Sequence, residues 1–370
     1  MPRRRPRRLL LVSAGLAQDG GGTAVVGRLA LAVLREYCAE RGFELRALDL
    51  GPGGAPLPEI PVRHFGGRRW SLARAVWRAQ LEPAQVAALV FDHLGPSRCQ
   101  SALPRPLRRP HLVFLNGIEV WRPLSWDQQR ALRLARVRLA ISEHTRRRAR
   151  EFSPWLPPVE VLPLALEERP AWGTADAATL ARCGRDFILM VGRMAAAERY
   201  KGHDQMLEAL ARLSGARLVV AGDGDDRPRL EARAEALGLA DRVVFTRFVD
   251  EATLHRLYEA CAVFVMPSRD EGFGLAYLEA MRASKPCVAA RGCAAEEIVI
   301  HGETGALVSY GDVESLAGAL AGLLGDRGQA ARWGLAGRRR WEQRFGYDAF
   351  RAGLVPHLDR LTASTGDVRH

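Results

Sequence analysis

This chain of 370 residues contains no run of about 18 consecutive apolar residues, which excludes a membrane-spanning helix by length alone. Paired cysteines are missing too. Cys38, Cys99, Cys183, Cys261, Cys287 and Cys293 stand apart without a Cys-x-x-Cys spacing, and several lie in apolar runs. No zinc site is visible in that pattern, which suits buried thiols in a reducing cytoplasm. Residues 1–8 are basic, but the apolar run at 9–12 is too short for a signal-peptide core and reads as a first buried strand. No internal repeat or low-complexity segment stands out. Lysine is absent from the first 180 residues, where every cation other than histidine is arginine.

Apolar content of 48% is ample for packed cores, and the length favours two domains over one. Charge divides them. Residues 1–180 carry 28 Lys+Arg against 16 Asp+Glu, so the whole net charge of +12 belongs there, and residues 181–370 carry 26 of each. Two readings stand: an acidic surface or substrate met by the first half, or arginine-rich composition with no further meaning. The same choice applies to Arg68, Arg69, Trp70, Arg74, Trp77 and Arg78, which form either a helix lying on an anionic membrane or a solvated helix with its tryptophans packed inward. Strand and helix patterns alternate throughout, which argues an α/β chain with parallel sheets. Strands are expected at 9–13, 44–48, 87–91, 111–115 and 137–141, then at 187–191, 216–221, 243–245, 261–266, 286–290 and 306–308. Helices are expected at 24–39, 203–213, 227–237 and 251–260, with three closing the chain at 313–324, 329–344 and 347–361. A polar stretch at 167–178 reads as a linker.

The most informative segment is VMPSRDEGFGLAYLEAMRASKPCVA, from Val265 to Ala289. A buried strand ends near Met266. Glu271 follows in a loop at the strand's carboxyl end, where open α/β sheets hold ligands. Leu275, Leu278 and Met281 then recur at helical spacing, with Glu279 about one and a half turns in. The amides of Gly272, Phe273, Gly274 and Leu275 would point out of the helix start as an anion site. On spacing alone, two solvated glutamates on a plain strand–turn–helix remain an alternative.

The stretch EGFGLAYLEAM followed by KPCVAA resembles the E-x7-E signature of retaining GT-B glycosyltransferases, specifically glycosyltransferase family 4. Further segments agree in order over most of residues 187–308. VGRMAAAERYKG resembles the family's VGR…KG pattern, and the resemblance implies that Arg193 and Lys201 hold the donor's phosphates. Gly222 and Gly224 match a G-x-G turn bordering the nucleotide. Asp223-Gly224-Asp225 also looks like a D-x-D metal motif, but turn chemistry after a strand explains it better. Residues 245–249 resemble VxFxGFV, in which Phe248 and Val249 would meet the base, with Arg247 where glycine is usual. Glu297-Ile298-Val299 with Gly302-Glu303-Thr304-Gly305 resembles PEIV…G-x-TG and reads as structural, with Glu296 where proline is common. In the first half, Gly20, Gly21 and Gly22 match a glycine loop facing the diphosphate. FLNGIEVW resembles F-x-H-G-x-E-x-W, with Asn116 where histidine is often found. His93, Asn116 and Glu119 are the acceptor-side candidates.

The resemblance implies two Rossmann-like domains facing across a cleft, an acceptor domain at 1–170 and a donor domain at 171–345, with a last helix at 346–370 crossing back to the first. It implies a retaining, metal-independent transferase that moves a hexose-type sugar from a nucleotide-diphosphate sugar to an acceptor hydroxyl. Glu279 would hold the ribose, and Glu271 would orient the sugar. Arg193 and Lys201 would meet charge developing on the diphosphate. The acceptor would be a sugar or lipid-linked molecule in exopolysaccharide, lipopolysaccharide or other cell-envelope assembly. The enzyme would be cytoplasmic, peripheral on the inner face of the plasma membrane. Alternatives are a soluble small-molecule or aglycone acceptor, or an NDP-sugar epimerase or phosphorylase of the same fold. A nucleic-acid partner, suggested by pI ≈ 10.1, has no recognised motif behind it.

Overall fold

The computed structural model describes residues 7–17, 21–53, 60–82, 86–166 and 173–363. The chain divides into two units, one of residues 1–167 and 347–370 and one of residues 168–346.

The first unit is built on β1 (Arg8–Ser13), β2 (Glu44–Asp49), β3 (Val62–His64), β4 (Val86–Phe91), β5 (His111–Leu115), β6 (Val137–Ala140) and β7 (Glu160–Val161). They form one parallel sheet in the order β3-β2-β1-β4-β5-β6-β7. The central strands are short apolar runs, and every residue of β4 and β5 is buried. That is the pattern of a sheet covered on both faces. Val12, Leu89, Phe91 and Val113 sit in its core. The final helix, Tyr347–Thr362, belongs to this unit and packs beside the Gly21–Arg41 helix. The Tyr347 hydroxyl donates to Glu36 Oε1 at 2.8 Å, Arg351 Nε pairs with Glu36 Oε2 at 2.7 Å, and the Tyr37 hydroxyl donates to Asp359 Oδ1 at 2.9 Å.

The second unit holds β8 (Ile188–Val191), β9 (Leu218–Ala221), β10 (Val243–Arg247), β11 (Val263–Met266), β12 (Cys287–Ala290) and β13 (Gly305–Val308). Their order is β10-β9-β8-β11-β12-β13, again all parallel. Met190, Leu207, Val220, Val265 and Leu320 lie in its core. In both sheets the order reverses beside the first strand, between β1 and β4 and between β8 and β11. Such switch points open a crevice at the strands' carboxyl ends.

Some expectations need correction. The strand expected at 261–266 begins at Val263, because Cys261 caps the preceding helix with its amide on the Leu257 carbonyl. The helix expected at 203–213 ends at Ala211, and the strand expected at 243–245 runs to Arg247. Strands β3 and β7 were not expected: each is a short edge strand with no buried residue to give it an apolar pattern. The glycines after β1 open a helix as expected, Gly21 and Gly22 standing in its first described turn, while Gly20 lies outside the described residues. Of the expected linker, 167–172 also lies outside them, and Ala177 already starts a helix. Five of the six free cysteines are buried and Cys99 is half-buried. Among the described residues, no helix is long and apolar enough to cross a membrane.

Candidate active site

The carboxyl end of β8 leads into Gly192 and Arg193, and a short turn, Ala196–Lys201, follows. Both expected cations converge on Glu198, which the sequence reading did not single out. Arg193 Nη2 lies 2.6 Å from Glu198 Oε1, and Lys201 Nζ lies 3.4 Å from Oε2. The side chains of Lys201 and Glu198 are each 17% exposed, against 68% for Arg193. The inner pair is thus poorly screened, which strengthens its electrostatics.

The loop bearing these charges is fastened from several sides. Met194 donates its amide to the Asp223 carbonyl at 2.9 Å, and Asp226 donates its amide to the Met194 carbonyl at 2.9 Å. Asp225 Oδ1 accepts the Ala196 amide at 2.8 Å. Arg199 Nη2 lies 2.8 Å from Asp226 Oδ1, while Arg229 Nη2 lies 2.7 Å from Asp226 Oδ2. The Arg229 hydrogen bond, with help from Arg199, holds the Asp226 carboxyl down at about 2. Asp225 and Asp226 therefore serve the loop through their side chains, and Asp223 through its carbonyl. Gly222 and Gly224 serve it too: a Cβ on the first would collide with the Gly192 carbonyl, and on the second with the Met194 carbonyl. They let the backbone of the cation loop lie flat on theirs.

Across the switch point, β11 ends and the 267–274 loop begins. Its Arg269 amide donates to the Tyr200 carbonyl at 2.9 Å, tying it to the cation loop. Gly274, at φ 105°, starts the Leu275–Arg282 helix, and a Cβ there would strike the Tyr277 ring. The Tyr277 hydroxyl donates to the Met266 carbonyl at 2.5 Å, holding the helix to the strand. Burial raises the Glu271 carboxyl above its ordinary range. The Lys201 charge and the amides of Phe273 and Gly272, hydrogen-bonded to it, oppose that shift, while Glu198 adds to it. The amides at 272 and 273 were expected to be open to a ligand; here the adjacent carboxylate occupies them, because a helix start attracts the nearest anion. Phe273 offers no side chain to a ligand: it is 3% exposed and its ring meets Phe345 edge-on at 6.1 Å. Leu275 is half-buried at the first helical position. Glu279 Oε2 accepts the hydroxyl of the fully buried Tyr258 at 2.8 Å. Tyr258 was missed because it lies 21 positions away on another helix.

At the edge of the same sheet, Arg247 occupies the left-handed region, φ 63°, and accepts the Gly222 amide on its carbonyl at 2.9 Å. This is the position where the resemblance expects glycine, and the backbone keeps a glycine's shape. Its side chain is exposed, as is Phe248 at 75%, while Val249 is half-buried. In the PEIV…G-x-TG segment, the Thr304 hydroxyl accepts the Ile300 amide at 2.8 Å, a turn-forming role.

In the first unit the strand ends collect different chemistry. Ser13 ends β1 and donates its hydroxyl to Asp92 Oδ2 after β4, and the Ala14 amide donates to Asp92 Oδ1 at 2.9 Å. Asp92 is fully buried, and burial pushes its carboxyl up to about 7 against those bonds. Asp49, also buried, pairs with His64 Nδ1 at 2.8 Å. Asn116 donates Nδ2 to the Asp92 carbonyl at 2.9 Å. Its amide donates to Glu119 Oε1 at 2.5 Å, so Glu119 closes a turn. His93 Nδ1 accepts the Gly95 amide at 2.8 Å and caps a short turn. The structure thus places Asn116 beside Asp92, while His93 and Glu119 fasten local backbone. On the basic helix, the Trp77 indole donates to the Cys99 carbonyl at 2.8 Å, whereas Trp70 is 78% exposed.

Residues 175–340 match the family model described as glycosyl transferases group 1. An alpha-D-kanosaminyltransferase from Streptomyces kanamyceticus is 32% identical over 352 residues, covering 80% of this chain and 90% of that protein. The chain belongs to the glycosyl transferases group 1, a family of sugar-transferring enzymes. A GDP-mannose-dependent alpha-(1-6)-phosphatidylinositol monomannoside mannosyltransferase from Mycolicibacterium smegmatis is 37% identical over 149 residues, 37% of this chain and 39% of that one. A D-inositol 3-phosphate glycosyltransferase from Xylanimonas cellulosilytica is 35% identical over 195 residues, 50% of this chain and 46% of that one. The chain spans less than half the length of these two relatives. Among solved structures, sucrose-phosphate synthase from Thermosynechococcus elongatus superposes with a TM-score of 0.79 at 20% identity, over 96% of this chain and 99% of that one. The Anabaena protein HepE, solved with UDP and glucose, gives 0.76 at 20% identity, over 95% and 100%. Two parallel-sheet α/β units in this arrangement of strands are the GT-B fold.

Glu198 and Tyr258 are the residues that sequence reasoning overlooked. A faint signal existed for the first: an acid set between Arg193 and Lys201 in a segment expected to bind phosphate. For the second no spacing signal existed.

Proposed function

We propose that this protein is a retaining, metal-independent glycosyltransferase that uses a nucleotide-diphosphate sugar and an acceptor hydroxyl. One observation carries the reading: at the carboxyl edge of the second sheet, Arg193 and Lys201 share one carboxylate, and Lys201 acts electrostatically on Glu271. The acceptor oxygen would bond to the anomeric carbon as the bond to the diphosphate oxygen breaks. The bonding pair leaves on the diphosphate, where Arg193 and Lys201 neutralise it, the kind of electrostatic stabilisation that dominates many enzymes. The acceptor's proton passes to the departing phosphate oxygen on the same face, which retains the configuration. Glu279, oriented by the Tyr258 hydroxyl, would accept the ribose hydroxyls. Glu271 would exchange its amide partners for hydroxyls of a hexose-type sugar. Such a route needs no metal, and Asp223, an acid of the D-x-D-like segment, is already paired with Arg227 Nε at 2.8 Å.

The acceptor reading is a sugar or lipid-linked molecule in cell-envelope glycan assembly, with the enzyme cytoplasmic and peripheral on the membrane. The name of the mannosyltransferase relative, which includes a phosphatidylinositol, supports it. A second reading is a soluble small-molecule or aglycone acceptor: the relative matched over most of both chains is named for a kanosaminyl group, and its name includes no lipid. Thermal-shift screening against UDP-, GDP-, ADP- and dTDP-sugars tests the donor, since a bound donor raises the melting temperature. Product analysis by NMR with lipid extract or small glycosides then reads acceptor and anomeric configuration. Inverted product, or product formed from donor alone, would overturn the transferase mechanism as written. Turnover abolished by EDTA and restored by a divalent cation would overturn metal independence.

A further inference from the structure

The proposed reaction uses the carboxyl ends of the strands. At the opposite end of the first unit's sheet lies a cavity of about 560 Å³, within the usual size of a small-molecule site. Arg7, Arg105, Arg108, Arg109 and Arg136 line it. Arg7 immediately precedes β1, Arg136 immediately precedes β6, and residues 105–109 lead into β5. Val86, Leu134 and Leu361 supply an apolar part of the wall. With β1 and β4 each six residues long, this hollow stands roughly 20 Å from the Ser13 and Asp92 end.

Among the described residues no carboxylate lines the cavity, and none of the five arginines makes an ion pair. Elsewhere in this unit arginines find acids readily: Arg8 pairs with Glu44 and Glu82, and Arg351 with Glu36 and Glu40. Capping of helix ends explains part of the cluster. Arg136 Nη1 donates to the Ala363 carbonyl at 3.2 Å, just past the final helix. Arg108 Nε donates to the Leu103 carbonyl at 2.5 Å. It does not explain Arg109, whose Nε is buried without a partner. Burial and the neighbouring Arg130 and Arg105 charges hold the Arg108 guanidinium below its ordinary range. Like charges gathered at one hollow repel one another, and an anion in the hollow relieves that repulsion. Guanidinium forks match phosphate oxygens in pairs, which selects phosphate over a single diffuse charge.

We infer that this hollow binds a ligand carrying several phosphate groups, at a site separate from the donor's. A free polyphosphorylated solute and a polyphosphorylated lipid headgroup share that chemistry.

Calorimetry on the full chain tests it with sodium tripolyphosphate as the probe. Arg193→Ala/Lys201→Ala serves as background, so that the donor site does not compete. Binding is expected with an affinity that falls as salt rises. Adding Arg105→Glu and Arg109→Glu should weaken it by about a hundredfold, whereas Arg150→Glu, an exposed arginine outside the hollow, should change it by less than about threefold. Melting curves establish that each variant is folded. No binding to the background, or equal binding by the charge-reversed variant, would overturn the inference. Sedimentation with phosphatidylglycerol vesicles containing a phosphatidylinositol bisphosphate separates the sources. Co-sedimentation that Arg105→Glu/Arg109→Glu abolishes assigns the site to a lipid headgroup, and tripolyphosphate binding without co-sedimentation assigns it to a free solute.

Discussion

The two sheets of this protein share a topology and part company at their carboxyl ends. Both reverse order beside the first strand, and both place polar side chains at that switch point. In the first unit these side chains are acids and neutral groups: Ser13 and Asp92 share a hydrogen bond, Asp49 faces His64, and Asn116 leans on the Asp92 carbonyl. In the second they are ions set against one another, Arg193 and Lys201 on Glu198, with Glu271 nearby. The backbone supplies a position in both cases. What the position can bind is decided by the few residues that follow each strand. A hydrogen-bonding edge suits hydroxyl-rich molecules, and an edge with cations suits phosphate.

That contrast is open to test. Lys201→Ala should lower turnover by about 10²–10³-fold with an unchanged melting temperature. Steady-state rates of the purified variant check it, and normal turnover would remove the ionic edge from catalysis. Glu279→Ala should weaken NDP binding by roughly tenfold and Tyr258→Phe by less, read by calorimetry. Equal affinity in both variants would detach that pair from the ribose. Glu198→Gln should tighten NDP binding about fivefold, because the diphosphate no longer competes with a carboxylate for the cations, and should lower turnover as Arg193 loses its anchor. Weaker binding would show that Glu198 organises the site without competing for it.

On the first unit, Asp92 gives a pH signature. Its carboxyl is raised to about 7 in the folded chain, so between about 4 and 7 the folded state holds the proton that the unfolded state has lost. Its contribution to stability is therefore present below about 4 and fades as pH rises toward 7. Asp92→Asn should flatten that part of the profile of melting temperature against pH, and an unaltered slope would show the carboxyl to be ionised in the fold. The smallest effect belongs to Arg247→Gly, which should raise stability by up to about 1 kcal/mol by relieving the left-handed backbone. Urea denaturation reads it, and a loss of stability would mean that the arginine side chain contributes more than its backbone costs.

Most of the fold was legible because buried parallel strands read as short apolar runs, as β4, β5 and β11 do. Strands β3 and β7 were illegible for the converse reason: edge strands with no buried face carry no such signal. At the site, Arg193, Lys201, Glu271 and Glu279 stood out because local motifs hold them. Glu198 reads in sequence as one more surface acid in AAAERY, and only the turn at 196–201 aims it at both cations. The glycines at 222 and 224 stood out as a G-x-G turn, but their close packing on a chain segment 30 residues earlier had no local signal. Patterns along a chain report what is nearby; a partner from a distant element leaves no local mark.

The final helix has a consequence for how the molecule is made. Because 347–363 packs with the first unit, the second unit is an uninterrupted insert, while the first is assembled from two separated stretches. During synthesis, residues 168–346 can fold as they emerge. Glu36 and Tyr37 on the Gly21–Arg41 helix gain their partners only when the last segment reaches them. The two units thus complete in the reverse of the order in which their chains begin.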